Sequence, residues 1–376
     1  MTEKERDKKI VIFSTFFPPH IGGVEYYSKG LAEHFSDKGY DVYIITTTQE
    51  CIDTNKYNIL SMDTMGLINN RLPIIIPNKR NREIIAKLKQ LRLDGAIVQT
   101  RFYPLSIIAA RFLKKADIPF ILIEHGTGHF DFSNPLINKV GEWYEHLITW
   151  YIKKKCDMFY GVSESCCKWL EHYGIRSKGV LYNSVNIEEF KDKDSNESKE
   201  TVNISFVGRL IPEKGVEKLI DAFREIRRTK KNIILNIAGT GEIYEKYKNE
   251  NLEGISFLGG ITHSDVVELL RKTDIYCFPS DYPEGLPTTI LEAAASRALI
   301  VTSEAGGAKE FVGNNEYGVI LKENSVDEII TVLERYIVDG DGRSNFAEKA
   351  YERIKAKFTW DVVGEQIVDI FRSEWQ

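Results

Sequence analysis

Short apolar runs of strand length recur along the whole chain, separated by amphipathic stretches of helix length. In the first half the runs are "KKIVIFST", "YDVYIITT", "DGAIVQT", "PFILIEHG" and "MFYGVS", with segments such as "GVEYYSKGLAEHFSDKG" between them. A polar, serine-rich interval follows, "NSVNIEEFKDKDSNESKETVN", and reads as a linker. Six more runs then appear: "ISFVGR", "NIILNIAG", "ISFLGG", "IYCFPS", "ALIVTS" and "GVILK". Runs that are apolar throughout, and alternate with helices, predict parallel sheets covered on both faces. The pattern therefore predicts an α/β protein of two doubly wound domains, 1–184 and 185–357. A final helix, 358–376, carries apolar positions that suit packing back onto the first domain. A chain of 376 residues accommodates this at about 150 residues per domain.

Composition narrows the class. Hydrophobic residues at 43% and charged ones at 28% fit a globular chain with material for large cores, and exclude disordered and fibrous classes. Five cysteines without a CxxC pair point to a reducing, cytoplasmic setting, with no disulfide framework or zinc site. No apolar run reaches the ~18 residues of a bilayer span. The start, "MTEKERDKKIVIFSTFFPP", mixes three acidic residues into its basic region and meets a Pro-Pro turn, so it reads as a first strand and not a signal peptide. Net charge is −5, divided as +3 over 1–190 and −8 over 191–376. The basic excess peaks in "PNKRNREIIAKLKQLR", 77–92, which reads either as a solvated helix face or as a surface for anionic lipid or a phosphorylated acceptor. No nucleic-acid partner is expected.

Open parallel sheets bind ligands beyond the carboxyl ends of their strands, where strand order reverses. Four such ends carry candidate chemistry. Gly22 and Gly23 stand between the first strand and the next helix, where bare amides suit an anion, although a tight turn requires glycine as well. In "FVGRLIPEKG" a guanidinium and an ammonium, Arg209 and Lys214, flank a proline turn just after a strand; the pair suits a diphosphate and is also consistent with plain surface charge. In "FPSDYPEGLPTTILEAAA" a helix starting near Pro287 or Thr288 offers unsatisfied amides around Gly285, Leu286 and Thr288. Glu284 stands just outside that helix and Glu292 about one turn inside it, placed to accept from vicinal hydroxyls such as those of a ribose. His125, in "ILIEHGTGHF", follows a buried strand. His129 invites a metal reading that no neighbouring carboxylate spacing supports. "AGTGEIYEKY" lacks the third glycine of a dinucleotide fingerprint, and the Asp pairs of "DKD" and "DGD" fall in polar loops.

Taken together, these segments resemble glycosyltransferase family 4, retaining nucleotide-sugar transferases of the GT-B fold, in which two Rossmann-like domains face each other across a cleft. The resemblance covers nearly the whole chain through "FFPPHIGGVEYYSKGLAEHFSDKGYDV", "EHG", "FVGRLIPEKG", "PSDYPEGLPTTILEAAA" and "SEAGGAKEFV", in that order. It implies a nucleoside-diphosphate sugar as donor, bound by the second domain, and a glycan or lipid-linked acceptor on the first. Arg209 and Lys214 would hold the donor diphosphate, with amides at Gly22 and Gly23 and the hydroxyl of Thr288. Glu284 and Glu292 match the two glutamates of the family's EX7E motif, the first at the donor sugar and the second at the ribose. Gly285, Leu286 and Pro287 would line the donor, Ile261 would lie against the base, and His125 would hydrogen-bond the sugar. Neither cofactor nor metal is implied. One departure stands in "ASRALIV", where Arg297 occupies the family's glycine position; a left-handed residue there would cost about 1 kcal/mol. An epimerase or phosphorylase of similar fold and a degenerate glycan-binding subunit are the competing readings. A phosphorylase would need a cofactor lysine or a free-phosphate site, and the sequence points to neither.

Overall fold

The computed structural model describes residues 8–51, 54–67, 71–129, 135–191, 201–282 and 285–374. The chain forms two compact units, one made of 1–183 together with 360–376 and the other of 184–359.

The first unit contains strands β1 (Lys9–Phe13), β2 (Asp41–Thr46), β3 (Asn58–Ser61), β4 (Thr64–Leu67), β5 (Leu72–Ile75), β6 (Gly95–Gln99), β7 (Phe120–Glu124), β8 (Phe159–Gly161) and β9 (Gly179–Val180). Seven of them form a sheet in the order β3-β2-β1-β6-β7-β8-β9, with every pairing parallel. β4 and β5 make a separate antiparallel pair. Alternate residues of the central strands enter two cores. Val11, Phe13, Val98 and Leu122 pack on one face, and Ile10, Ile12, Ile97 and Ile121 on the other. Burial on both faces is why these strands read as unbroken apolar runs.

Helix Trp360–Glu374 contributes Val363, Ile367, Val368 and Phe371 to the core beneath Ile10 and Ile12. Burying four such side chains stabilises this unit by roughly 6–12 kcal/mol, at about 1.5–3 kcal/mol each. The last helix is thus part of the first unit's core.

The second unit contains β10 (Val202–Val207), β11 (Ile233–Ala238), β12 (Ile255–Gly259), β13 (Ile275–Phe278), β14 (Leu299–Ser303) and β15 (Val319–Leu321). They form one sheet in the order β12-β11-β10-β13-β14-β15, again wholly parallel. Its two ends lie side by side, because the Val185 amide donates to the Phe358 carbonyl at 2.9 Å.

β3, β4, β5 and β9 are the strands without a strong apolar signal in the sequence. β3 and β9 are short edge strands, and Gly66 and Pro73 interrupt the β4–β5 pair.

Arg297 follows helix Thr288–Ala295 with φ 56°, so a left-handed residue is indeed required at this turn. Its guanidinium lies 3.6 Å from the centroid of Tyr351, and its Nε donates to Glu348 at 3.1 Å. A cation–π contact of about 0.5–1 kcal/mol offsets the backbone strain. Arg297→Ala keeps the strain and loses the contact, so its unfolding midpoint should fall by the equivalent of about 1 kcal/mol. Arg297→Gly loses both and should stay close to the parent. Urea unfolding in which the glycine variant is the less stable of the two would refute this balance.

Candidate functional site

Strand order reverses beside β1 in the first sheet, between β2 and β6, and beside β10 in the second, between β11 and β13. Both are topological switch points; Gly22 and Gly23 follow β1, Arg209 and Lys214 follow β10, and helix Thr288–Ala295 follows β13, whereas His125 follows β7 and Ile261 follows the edge strand β12.

In the second unit the chain leaves β10 through Gly208 and Arg209 and forms a short 3-10 turn, Pro212–Lys214. Gly215 closes the turn at φ 70°, and a Cβ there would sit 1.9 Å from the Pro279 carbonyl oxygen, so only glycine fits. The Glu213 carbonyl accepts from the amides of Asp281 and Tyr282 at 2.8 and 3.1 Å, which ties this turn to the exit of β13. Asn324 donates to the Pro279 carbonyl and to Asp281, and Lys218 pairs with Asp281 at 2.7 Å. Lys214 is thereby held at 5% exposure, 4.8 Å from the Tyr282 ring and 5.4 Å from that of Phe278. Arg209 reaches the same Tyr282 ring at 5.2 Å. Burial, and then the charge of Arg209, push the Lys214 ammonium down to about 7.

Gly239 shows why "AGTG" has its glycines. At φ 139° its backbone packs so closely on the Gly208 carbonyl that a Cβ would lie 1.8 Å away. The loop after β11 therefore buttresses the Arg209 loop, and its failure to match a dinucleotide fingerprint has a packing explanation.

Helix Thr288–Ala295 starts beyond Pro287, with no side-chain cap and no acid in its first turn. A helix start of this kind suits an anion, although the Ile290 amide already donates to the Pro287 carbonyl at 3.2 Å. Leu286 and Pro287 are buried, and Gly285 and Thr288 partly so; Thr289 is fixed by a 2.7 Å hydrogen bond from Tyr276. Glu292 lies further along the helix with 14% of its side chain exposed and its carboxylate 3.9 Å from His263 Nδ1. His263 Nε2 meets Glu189 at 2.9 Å. Burial pushes the Glu292 carboxyl up to about 7, against the pull of His263 and with the push of Glu189. Ile261 is partly buried between β12 and the capping box of Thr262 and Asp265. Glu284 lies outside the described residues, as do the Asp residues of "DKD". Asp339 of "DGD" caps a helix by accepting from the Gly342 amide at 2.8 Å.

In the first unit, Gly22 and Gly23 begin helix Gly23–Asp37. The Glu25 carboxylate folds back over Gly22 and pairs with His20 at 2.8 Å, and that hydrogen bond raises the pKa of His20. The amides here thus already have a carboxylate beside them. His125 caps the end of β7, its Nε2 2.7 Å from Gln99 Oε1 and its ring edge-on to Tyr27. Burial pushes its pKa down to about 4, so it is neutral near pH 7. Gln99 is the partner that sequence reasoning passed over; the available signal was a polar residue closing the apolar run "GAIVQ".

Next to it is a buried ionic cluster. Arg101, Glu124 and Glu145 are each at most 1% exposed, with Arg101 bonded to Glu124 at 2.5 Å and to Glu145 at 2.9 Å. Tyr173 donates to Glu145 at 2.9 Å and lies 4.0 Å beneath the guanidinium. Glu124 also accepts from the amides of His125 and Gly126, each at 3.0 Å. The cluster therefore fixes the loop on which His125 sits. His129, His146 and His172 gather beside it, from three separate segments.

Two family models match the chain: "Glycosyltransferase Family 4" over residues 21–189 and "Glycosyl transferases group 1" over 187–353. An uncharacterized glycosyltransferase of Methanocaldococcus jannaschii is 28% identical over 97% of this chain and 98% of its own. A GDP-mannose-dependent monoacylated alpha-(1-6)-phosphatidylinositol monomannoside mannosyltransferase of Corynebacterium glutamicum is 22% identical over 98% of both chains. Among solved structures, Anabaena HepE in complex with UDP and glucose matches with a TM-score of 0.74 and 18% identity, over 97% of this chain and all of that one. At that identity the likeness shows the fold, GT-B.

Removing Arg101 leaves two carboxylates buried without their cation. Arg101→Leu should destabilise the first unit by about 3–5 kcal/mol, and adding Glu145→Gln should recover part of the loss. A loss in urea unfolding below about 1 kcal/mol, the worth of an exposed pair, would overturn the reading of Arg101 as the hub of this cluster.

Proposed function

The chain belongs to the glycosyltransferases described by these two models, and from that premise we propose that it is a retaining enzyme moving a sugar from a nucleoside diphosphate to a glycan or lipid-linked acceptor in cell-surface polysaccharide synthesis. The observation that carries the reading is the pair Arg209 and Lys214, two cations kept together at the switch point of the second sheet. Burial and the neighbouring Arg209 guanidinium both push the Lys214 ammonium down, and perturbed groups of this kind gather at functional sites.

The donor diphosphate sits against these cations, the amides around Gly285, Leu286 and Thr288, and the turn at Pro287. Glu292 accepts from the ribose hydroxyls, and Ile261 lies against the base. Glu284 and His125 serve the sugar. The neutral ring of His125, with Nε2–H given to Gln99, leaves Nδ1 to accept from a sugar hydroxyl. Amides at Gly22 and Gly23 assist the phosphates once the Glu25 carboxylate, which lies over Gly22, turns aside. As the bond from C1 to the diphosphate oxygen breaks, its electron pair passes to the leaving group. The acceptor oxygen bonds C1 on the same face, and its proton goes to a diphosphate oxygen. No nucleophilic carboxylate is used. Arg209 and Lys214 stabilise the charge on the leaving group, a task that a divalent metal performs in other transferases, so the diphosphate needs no metal here. UDP and GDP are the favoured nucleotides, since HepE was solved with UDP and the Corynebacterium relative uses GDP-mannose.

A lipid-linked acceptor at the inner membrane face fits two surfaces of the first unit. Helix Lys79–Gln90 buries Asn81, Ile84 and Leu88 and leaves its basic residues outward. Helix Pro135–Ile152 exposes Leu136, Val140, Trp143, Leu147 and Trp150 as one stripe, followed by Lys153 and Lys154. No described helix is long and apolar enough to cross a membrane.

A thermal-shift screen with UDP, GDP, ADP and their sugar conjugates should single out one nucleotide, with EDTA making no difference; a ligand at a hundred times its Kd adds about 2.7 kcal/mol. No shift with any of them would favour a degenerate glycan-binding subunit.

Lys214→Ala and Glu292→Ala should each lower donor affinity or turnover at least about tenfold, about 1.4 kcal/mol. The pH dependence follows from the two groups near 7. Lys214 loses its charge as pH rises above about 7, and Glu292 takes up a proton as pH falls below about 7. Affinity for a diphosphate sugar should then peak near pH 7. Lys214→Ala should flatten the alkaline limb and Glu292→Gln the acid limb, and a pH-independent affinity would argue against both roles.

Co-sedimentation should favour anionic over neutral vesicles, and Trp143→Ser with Trp150→Ser should abolish the pelleting. Equal binding to both vesicles would remove the membrane reading.

A further inference from the structure

We propose that His129, His146 and His172 form a binding site for one divalent transition-metal ion, zinc in the first place, on the first unit and sharing no residue with the donor machinery. Three of the chain's seven histidines meet here. They come from the loop after β7, from helix Pro135–Ile152, and from the end of helix Glu164–Glu171. One ligand atom from each lies within 4.8 Å of the others, and the ring centroids are 5.1, 5.2 and 5.9 Å apart. A zinc–nitrogen bond of about 2.0–2.1 Å places tetrahedral ligand atoms about 3.4 Å from one another. His146 and His172 are exposed, and His146 is free to swing inward by that difference, while His129 is partly buried.

The surroundings of His129 carry the argument furthest. Tyr173 donates its only hydroxyl proton to Glu145 at 2.9 Å, and the same oxygen lies 3.2 Å from His129 Nδ1. The tyrosine oxygen must then accept from Nδ1–H, which puts the lone pair of His129 on Nε2. A histidine whose second nitrogen donates into a carboxylate-anchored chain is the arrangement that orients metal ligands. Glu145 is itself pinned by Arg101 at 2.9 Å, so the first ligand is fixed before any ion arrives. His172 is held in plane by stacking on Trp169, with centroids 4.8 Å apart and an angle of 4°. Three imidazoles with no thiolate select zinc, nickel, copper or cobalt over magnesium or calcium, and leave a fourth position for water. An ion here would tie both helices to the loop that begins at His125.

The test is calorimetric titration of the full chain, stripped with EDTA and dialysed, using zinc chloride. One saturable equivalent is expected, with binding at least tenfold weaker in His146→Ala/His172→Ala and no binding of calcium chloride. Cobalt chloride should give intense visible bands of tetrahedral type in the parent chain and lose them in the double variant. Circular dichroism checks that the variant is folded; should it not be, the single variants His146→Ala and His172→Ala, each at an exposed position, replace it with the same expectation. Absence of a saturable equivalent, or equal zinc affinity in parent and folded variants, would overturn the proposal.

Discussion

The constraint on which the rest of the structure depends is that both faces of each parallel sheet are covered. β1, β2, β6, β7, β10, β13 and β14 have no solvent side, so their interiors hold almost only aliphatic and aromatic residues. Polar chemistry is pushed to where the strands end. Gln99, Glu124, Arg209 and Ser303 each stand at or next to the carboxyl end of a strand, and the order of strands decides which of these ends adjoin a crevice. Sheet topology therefore selects the residues that perform chemistry before any ligand is considered.

The two units handle the resulting charge differently. In the first, Arg101 is matched by Glu124 and Glu145, which makes a rigid, internally paired support behind His125. In the second, Lys214 and Arg209 are brought together over the face of Tyr282. The first cluster pairs unlike charges, whereas the second holds two like charges close together. Glu292, pushed up toward neutrality by its own burial, is poised in the complementary sense beside His263.

Much of this was legible in the sequence because two-faced burial writes itself as unbroken apolar runs, because Arg209 and Lys214 follow one such run, and because Glu292 stands on the helix between two others. What was not legible is whatever depends on distant segments meeting. Lys214 looks like any surface lysine until the Pro279 carbonyl is seen closing over Gly215. His129 looked isolated because its companions lie 17 and 43 positions away, on helices whose facing could not be read. The short edge strands β3 and β9 bury too little to leave a pattern. The arginine at position 297 was legible as an oddity, but its compensation by Tyr351, more than fifty residues on, was not.

The last helix has a consequence for the order in which the chain matures. Because Val363, Ile367, Val368 and Phe371 complete the core beneath Ile10 and Ile12, the unit that is synthesised first cannot close until the final residues have emerged. The second unit, whose ends at Val185 and Phe358 are joined by a hydrogen bond, has all its strands in hand earlier and is free to fold on its own. Synthesis from the N-terminus ordinarily lets the leading domain fold first; here the unit inserted in the sequence has its core complete ahead of the one it interrupts, and one face of the leading sheet, covered early by Leu31 and Phe35 of helix Gly23–Asp37, lacks its last layer in the meantime.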